Sequence, residues 1–211
     1  MAGAELGVAR REMLEKYNAI WMVARMWYRL NRPPGWGERV TVRTWHRGDK
    51  GATMYRDYDL FVDGEAVGEC VSAWVLASLD TRQIIRLATV HELDGTGGGE
   101  LCKSKKLSKL RLPQDLELAG RRKLRYSDTD LNGHVNNTRY ADFACDALEM
   151  ERLGPDRFLS SMQIGYLAEC RPGEELLLWT KEQDGAHFVQ GMDEGGKSRF
   201  EAALIFGEVL P

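Results

Sequence analysis

The sequence predicts an α+β fold in which one unit is built twice, and three observations predict it. A helical stretch, a strand, a break of Arg-Pro-Gly character and three further strands follow one another in each half, with the breaks at Arg32-Pro33-Pro34-Gly35 and Arg171-Pro172-Gly173. Apolar and polar residues alternate between turn signals, as in antiparallel strands with one face turned to a core. One segment instead repeats its apolar residues at helical spacing, so each sheet has a helix to wrap. A chain of 211 residues suits two such units fused end to end.

In the first half, residues 10–16 read as a short helix, and an apolar run over 20–30 is stopped by the Pro and Gly residues of 33–37. Val40, Val42 and Thr44 then alternate with Arg39, Thr41 and Arg43. A hairpin follows, in which 55–62 turns at Asp63-Gly64 into 66–79. A loop over 91–120 holds the run Gly95-Thr96-Gly97-Gly98-Gly99, which lacks the Gly-Lys-Ser/Thr ending of a phosphate loop and reads as linker.

The second half opens with a short strand over 123–126 and a polar turn over 127–136. Tyr140, Phe143, Ala144, Ala147 and Leu148 recur at i, i+3, i+4, i+7 and i+8, the apolar stripe of a helix that Gly154-Pro155 ends. Strands over 162–168 and 176–181, a turn at Asp184-Gly185 and two strands meeting near Glu194-Gly195-Gly196 complete it. The expected boundaries are a first repeat over 1–90, a linker over 91–120 and a second repeat over 121–211. Met1 to Pro33 spans 32 positions where Arg122 to Pro172 spans 50, so the first repeat is expected to be N-terminally incomplete, without an opening strand and much of its helix.

Composition narrows the function classes. No apolar run nears the roughly 18–20 residues of a membrane span and the N-terminus lacks a secretory pattern, so a cytoplasmic protein is expected. Cys70, Cys102, Cys145 and Cys170 form no CxxC pair, and His46, His91 and His187 have no clustered acid or thiol, so no metal site and no cofactor is expected. A net charge of -3 speaks against general nucleic-acid binding. The charge is uneven: residues 103–125 hold nine Lys or Arg against Asp115 and Glu117, a net of +7 that leaves -10 on the rest of the chain. Such a band either solubilises a linker or attracts an acidic partner.

The chemistry concentrates in Asp130, Asn132 and His134, a carboxylate, an amide and an imidazole at alternate positions between a strand and a helix start. Helix N-terminal amides there can stabilise an oxyanion. Asp and Asn also favour plain turns, Asp128 reads as part of that turn, and Asn136 or Asn137 reads as the helix cap.

The run from Asp130 to Asn137 (Asp-Leu-Asn-Gly-His-Val-Asn-Asn), then Tyr140 and Tyr166-Leu167-Ala168-Glu169-Cys170, resembles the signature of the plant and bacterial acyl-acyl carrier protein thioesterases. Trp21-Met22-Val23-Ala24-Arg25, Pro34-Gly35-Trp36-Gly37-Glu38, Thr44-Trp45 and Ala73-Trp74-Val75-Leu76 with Asp80-Thr81-Arg82 extend the resemblance over residues 7–207. It implies a double hotdog, two sheets each wrapping a helix, and hydrolysis of fatty acyl thioesters of an acidic acyl carrier protein. The implied catalytic residues are Asp130, Asn132, His134 and Glu169. Glu169 activates water, Asp130 acts with it as base or nucleophile, His134 orients Asp130, and Asn132 positions the water or the carbonyl. A Cys170 nucleophile stays open, because a thiolate beside an imidazole attacks well. Substrate contacts are expected from Trp21, Trp74 and Cys170 toward the acyl thioester and from Lys105, Lys106 and Arg122 toward the carrier. A homodimer is expected. An acyl-CoA thioesterase, a hotdog dehydratase and a non-catalytic acyl-thioester binder are the competing readings.

Overall fold

In a computed structural model that describes residues 7–98 and 106–209, the chain divides after Leu107 into two units, each with antiparallel strands of its own. The first unit begins with helix α1 (Arg10–Tyr17), which stops at Asn18 in the left-handed region (φ 42°), where the Asn18 N–H bonds back to Leu14 and Met13. Four strands follow: β1 (Ala19–Leu30), β2 (Val40–Lys50), β3 (Thr53–Val62) and β4 (Glu65–Ser78), in the sheet order β2-β3-β4-β1. Asp63 (φ 50°) and Gly64 (φ 86°) make the two-residue turn that pairs Val62 with Glu65.

Met13 of α1 is fully buried among Ala19, Met54 and Leu76 of the sheet, Leu87 and Leu93 of two short 3-10 turns, and Val90 between those turns. Leu107 packs on Trp27, Val71 and Ala73. Segments expected to be linker therefore supply core side chains, covering sheet surface that one short helix cannot reach. The expectation that much of the first helix is missing is corrected. Helix α1 has eight residues and its counterpart below has nine, so the helices barely differ. The shortfall lies partly after the helix, where Asn18 alone makes the return to the sheet, and the described residues of this unit hold no strand before α1.

The second unit contains β5 (Glu117–Lys123), a 3-10 turn at Tyr126–Asp128, α2 (Arg139–Ala147), β6 (Arg157–Tyr166), β7 (Glu175–Gln183), β8 (Ala186–Asp193) and β9 (Ser198–Glu208). The strands lie in the order β6-β9-β8-β7-β5. Strand β5 covers 117–123 where a strand at 123–126 was expected. It pairs with β7 at one edge of that order and exposes most of its side chains, so no apolar alternation marks it.

Helix α2 turns Tyr140, Phe143 and Ala144 onto the sheet. The Tyr140 ring meets Phe143, Tyr166 and Phe200 edge-on, with centroids 5.9, 5.8 and 5.4 Å away. Gly191 stands opposite Phe200 on β8, and a Cβ there would collide with the Phe200 ring, so this glycine makes room for the aromatic cluster under the helix. The Arg122 guanidinium lies 4.3 Å from the Phe143 ring centre.

Candidate active site

Two segments of the second unit meet between β5 and α2. The first is a tight loop closed by a bridge between Thr129 and Val135. Asp130 N–H donates to the His134 carbonyl at 2.9 Å, and Gly133 N–H donates to the Asp130 carbonyl at 3.1 Å. Gly133 sits at φ +75°, a conformation L side chains rarely adopt, which explains a glycine between Asn132 and His134. The Asp130 carboxylate accepts from the Asn132 backbone N–H at 2.8 Å and from Asn132 Nδ2 at 3.2 Å.

Beneath this loop Asp128 is fully buried. It accepts from Arg125 N–H at 2.8 Å and from Arg122 Nη2 at 3.2 Å, with Arg139 at 3.4 Å. Burial alone would raise its pKa, but the Arg125 amide and the two guanidinium groups outweigh it and hold Asp128 below the usual carboxylate range. Its carbonyl also accepts from Asn136 N–H at 2.8 Å. Asn136 caps the entry to α2, its Oδ1 accepting from Thr138 N–H at 3.0 Å and Thr138 Oγ1 at 2.9 Å.

The second segment leaves the end of β6. Leu167 and Ala168 N–H groups both donate to the Arg199 carbonyl, at 2.9 and 3.1 Å. The Arg199 guanidinium donates to the Glu169 carbonyl and pairs with Asp193 at 2.9 Å. Val135 N–H then donates to the Cys170 carbonyl at 2.9 Å, so the two segments run side by side. That register places His134 Nε2 3.4 Å from Glu169 Oε2 and 3.4 Å from Arg171 Nη2.

Asp130, Asn132, His134 and Glu169 thus come from two segments locked together, but in two pairs. Asp130 is joined to Asn132, and the His134 ring faces Glu169. The expectation that His134 orients Asp130 is corrected: the Asp130 N–H meets the His134 carbonyl, while the hairpin turns the ring toward residues 169–171.

Cys170 is wholly enclosed, so its expected contact with substrate is corrected as well. Burial pushes the pKa of its thiol up, and that of the neighbouring Tyr140 hydroxyl as well. A thiol held above its ordinary value is a poor source of thiolate, which removes the support for a cysteine nucleophile.

Arg122 is committed inside the unit to Asp128 and to Asp146 (3.1 Å), so an internal role replaces the expected carrier contact. Trp21 and Trp74 lie in the first unit, packed against the Met13 cluster, with their ring N–H groups donating to the Val8 carbonyl and Ser72 Oγ. Lys106 is exposed, and Lys105 lies outside the described residues. Arg171 and Arg199 were missed as site residues. Arg171 stood in a break read only as a turn, and nothing in the strand pattern around Arg199 points at residue 169.

Residues 2–91 match the model of the acyl-ACP thioesterase N-terminal domain, and residues 114–207 match that of the acyl-ACP thioesterase C-terminal domain. A chloroplastic oleoyl-acyl carrier protein thioesterase of Arabidopsis thaliana is 29% identical over 78% of this chain and 49% of its own length. A chloroplastic acyl-[acyl-carrier-protein] hydrolase of Cuphea viscosissima is 29% identical over 94% of this chain and 48% of its own. The chain therefore spans about half the length of the curated relatives it matches. The crystal structure of an acyl-ACP thioesterase from Bacteroides thetaiotaomicron superposes with a TM-score of 0.86 at 23% identity, covering 97% of this chain and 83% of that one.

Proposed function

The chain belongs to the acyl-ACP thioesterase family, and from that premise we propose that it hydrolyses fatty acyl thioesters of acyl carrier protein to free fatty acid and holo-acyl carrier protein. The observation that carries the reading is the Val135–Cys170 backbone bond, which sets His134 against Glu169. Glu169 is the proposed base. It takes a proton from water, the hydroxide adds to the thioester carbonyl carbon, and the C–S bond breaks. The departing thiolate recovers the proton from Glu169, leaving a thiol and a carboxylic acid. Asp130 accepts from the Asn132 backbone N–H and from Nδ2, and so fixes the amide that positions water or carbonyl.

The basic band supports an acidic carrier as partner. Asp115, one of its two acids, is paired with Lys181 at 2.9 Å, while Lys106, Lys109, Arg111, Lys123 and Arg125 are exposed. The test is a thiol-release assay on acyl carrier protein thioesters of graded chain length beside the matching coenzyme A thioesters. Thiol and fatty acid should appear in equal amounts, faster from the carrier, with the preference narrowing as salt is raised. Equal rates from both carriers at every salt concentration would favour an acyl-CoA thioesterase. Loss of water from a 3-hydroxyacyl thioester with no thiol released would favour a dehydratase.

A further inference from the structure

We propose that Arg171 is a further catalytic residue, the cation that meets the negative charge developing on the thioester oxygen. The proposal rests on the hydrolase reading above and concerns the same site. Helix α2 was expected to stabilise the oxyanion with its first-turn amides, but those of Thr138, Arg139 and Ala141 already donate to the Asn136 side chain, the Asn136 carbonyl and the Thr138 carbonyl. As Glu169 takes the proton from water, its negative charge passes to the carbonyl oxygen of the substrate, which then needs a donor.

Two cations touch the segment that carries Glu169. Arg199 is committed: its guanidinium bonds Asp193 and the Glu169 carbonyl. Asp193 is held below the usual carboxylate range, first by the Lys197 backbone N–H and then by Arg199, and so stays a counter-ion. Arg171 differs. Its backbone N–H is anchored on Glu174 at 3.1 Å, but its guanidinium has no ion pair among the described residues and meets His134 Nε2 at 3.4 Å.

Its exposure fits this placement. Cys170 is fully buried whereas its neighbours Glu169 and Arg171 are exposed, and both approach His134 Nε2. A carbonyl carbon placed for attack by water held at Glu169 then has a planar, permanently charged donor group within reach of its oxygen. As the carbonyl π pair moves onto that oxygen, Arg171 holds the alkoxide. When the C–S bond breaks, the same guanidinium faces the carbonyl oxygen of the carboxylic acid product.

The experiment compares Arg171→Gln and Arg171→Lys with the unaltered chain on acyl carrier protein thioesters and on a small acyl thioester without carrier. Arg171→Gln should lower kcat on both substrates by about 100-fold with little change in KM, and Arg171→Lys should keep part of the rate. Added guanidinium ion should restore part of the activity of Arg171→Ala. Thermal unfolding should be unmoved, since the side chain is exposed. A kcat for Arg171→Gln on the small thioester within about twofold of the unaltered chain overturns the proposal. So does a loss confined to KM on the carrier substrate, which would assign Arg171 to carrier docking. Inactivity of the unaltered chain on every thioester would instead defeat the hydrolase reading itself.

Discussion

Glu169→Gln should lower kcat on an acyl carrier protein thioester by about 100- to 10,000-fold, the range of a lost general base, while KM and the unfolding temperature stay close to their starting values. The side chain is 45% exposed, so the amide is tolerated structurally. What disappears is the only proton acceptor that the 167–171 segment turns toward His134. Steady-state kinetics with a thiol-detecting reagent measures this directly. A variant that keeps more than about a tenth of kcat would move the base to Asp130.

Asp128→Ala should cost about 2–3 kcal/mol of stability. The carboxylate is 1% exposed, and its loss strands the Arg125 N–H together with one face each of Arg122 and Arg139. The upper end of the range for breaking a buried pair does not apply, because Arg122 and Arg139 are 30% and 37% exposed and rehydrate. The sign of the pH dependence follows from a folded pKa below the unfolded one. The stabilisation is complete above the unfolded value, about 3.9, and is lost as pH falls through the folded value. Thermal unfolding of the two proteins should therefore differ most near neutrality and converge below about pH 4. A gap that stays constant from neutral pH to pH 3 would contradict the ionic account. Activity should fall too, because the Asp128 side chain ties the Arg125 amide and the Arg139 guanidinium at the start of α2 to the base of the 129–136 loop.

Local chemistry was the legible part of the sequence. Asp63-Gly64 and Asp184-Gly185 take the left-handed conformations such pairs favour, and the apolar stripe through Tyr140 and Phe143 is the buried face of α2. Strand β5 was not legible as drawn, because an edge strand that exposes most of its side chains carries no alternation. Counting positions between Met1 and Pro33 could not separate helix from connection, so the deficit was assigned to α1 although much of it lies in the turn at Asn18.

In the site, Asp130, Asn132 and His134 were visible as a cluster, whereas Glu169 entered only through resemblance. Which of them touch was hidden. It depends on the Val135–Cys170 bond between segments 35 positions apart in sequence, and on Arg199 reaching across from β9. Cys170 was misjudged for a related reason. Sequence shows a thiol beside a carboxylate, but not that one points into the Tyr140 cluster while the other faces out.

The central claim is that the loop carrying His134 and the segment carrying Glu169 work as one hydrolytic unit. A double-mutant cycle tests it most directly, with kcat/KM measured for His134→Ala, Glu169→Gln and the pair. The account predicts strong coupling, with the double variant about as slow as Glu169→Gln alone. Losses that simply multiply would show that the two side chains act independently and would contradict it.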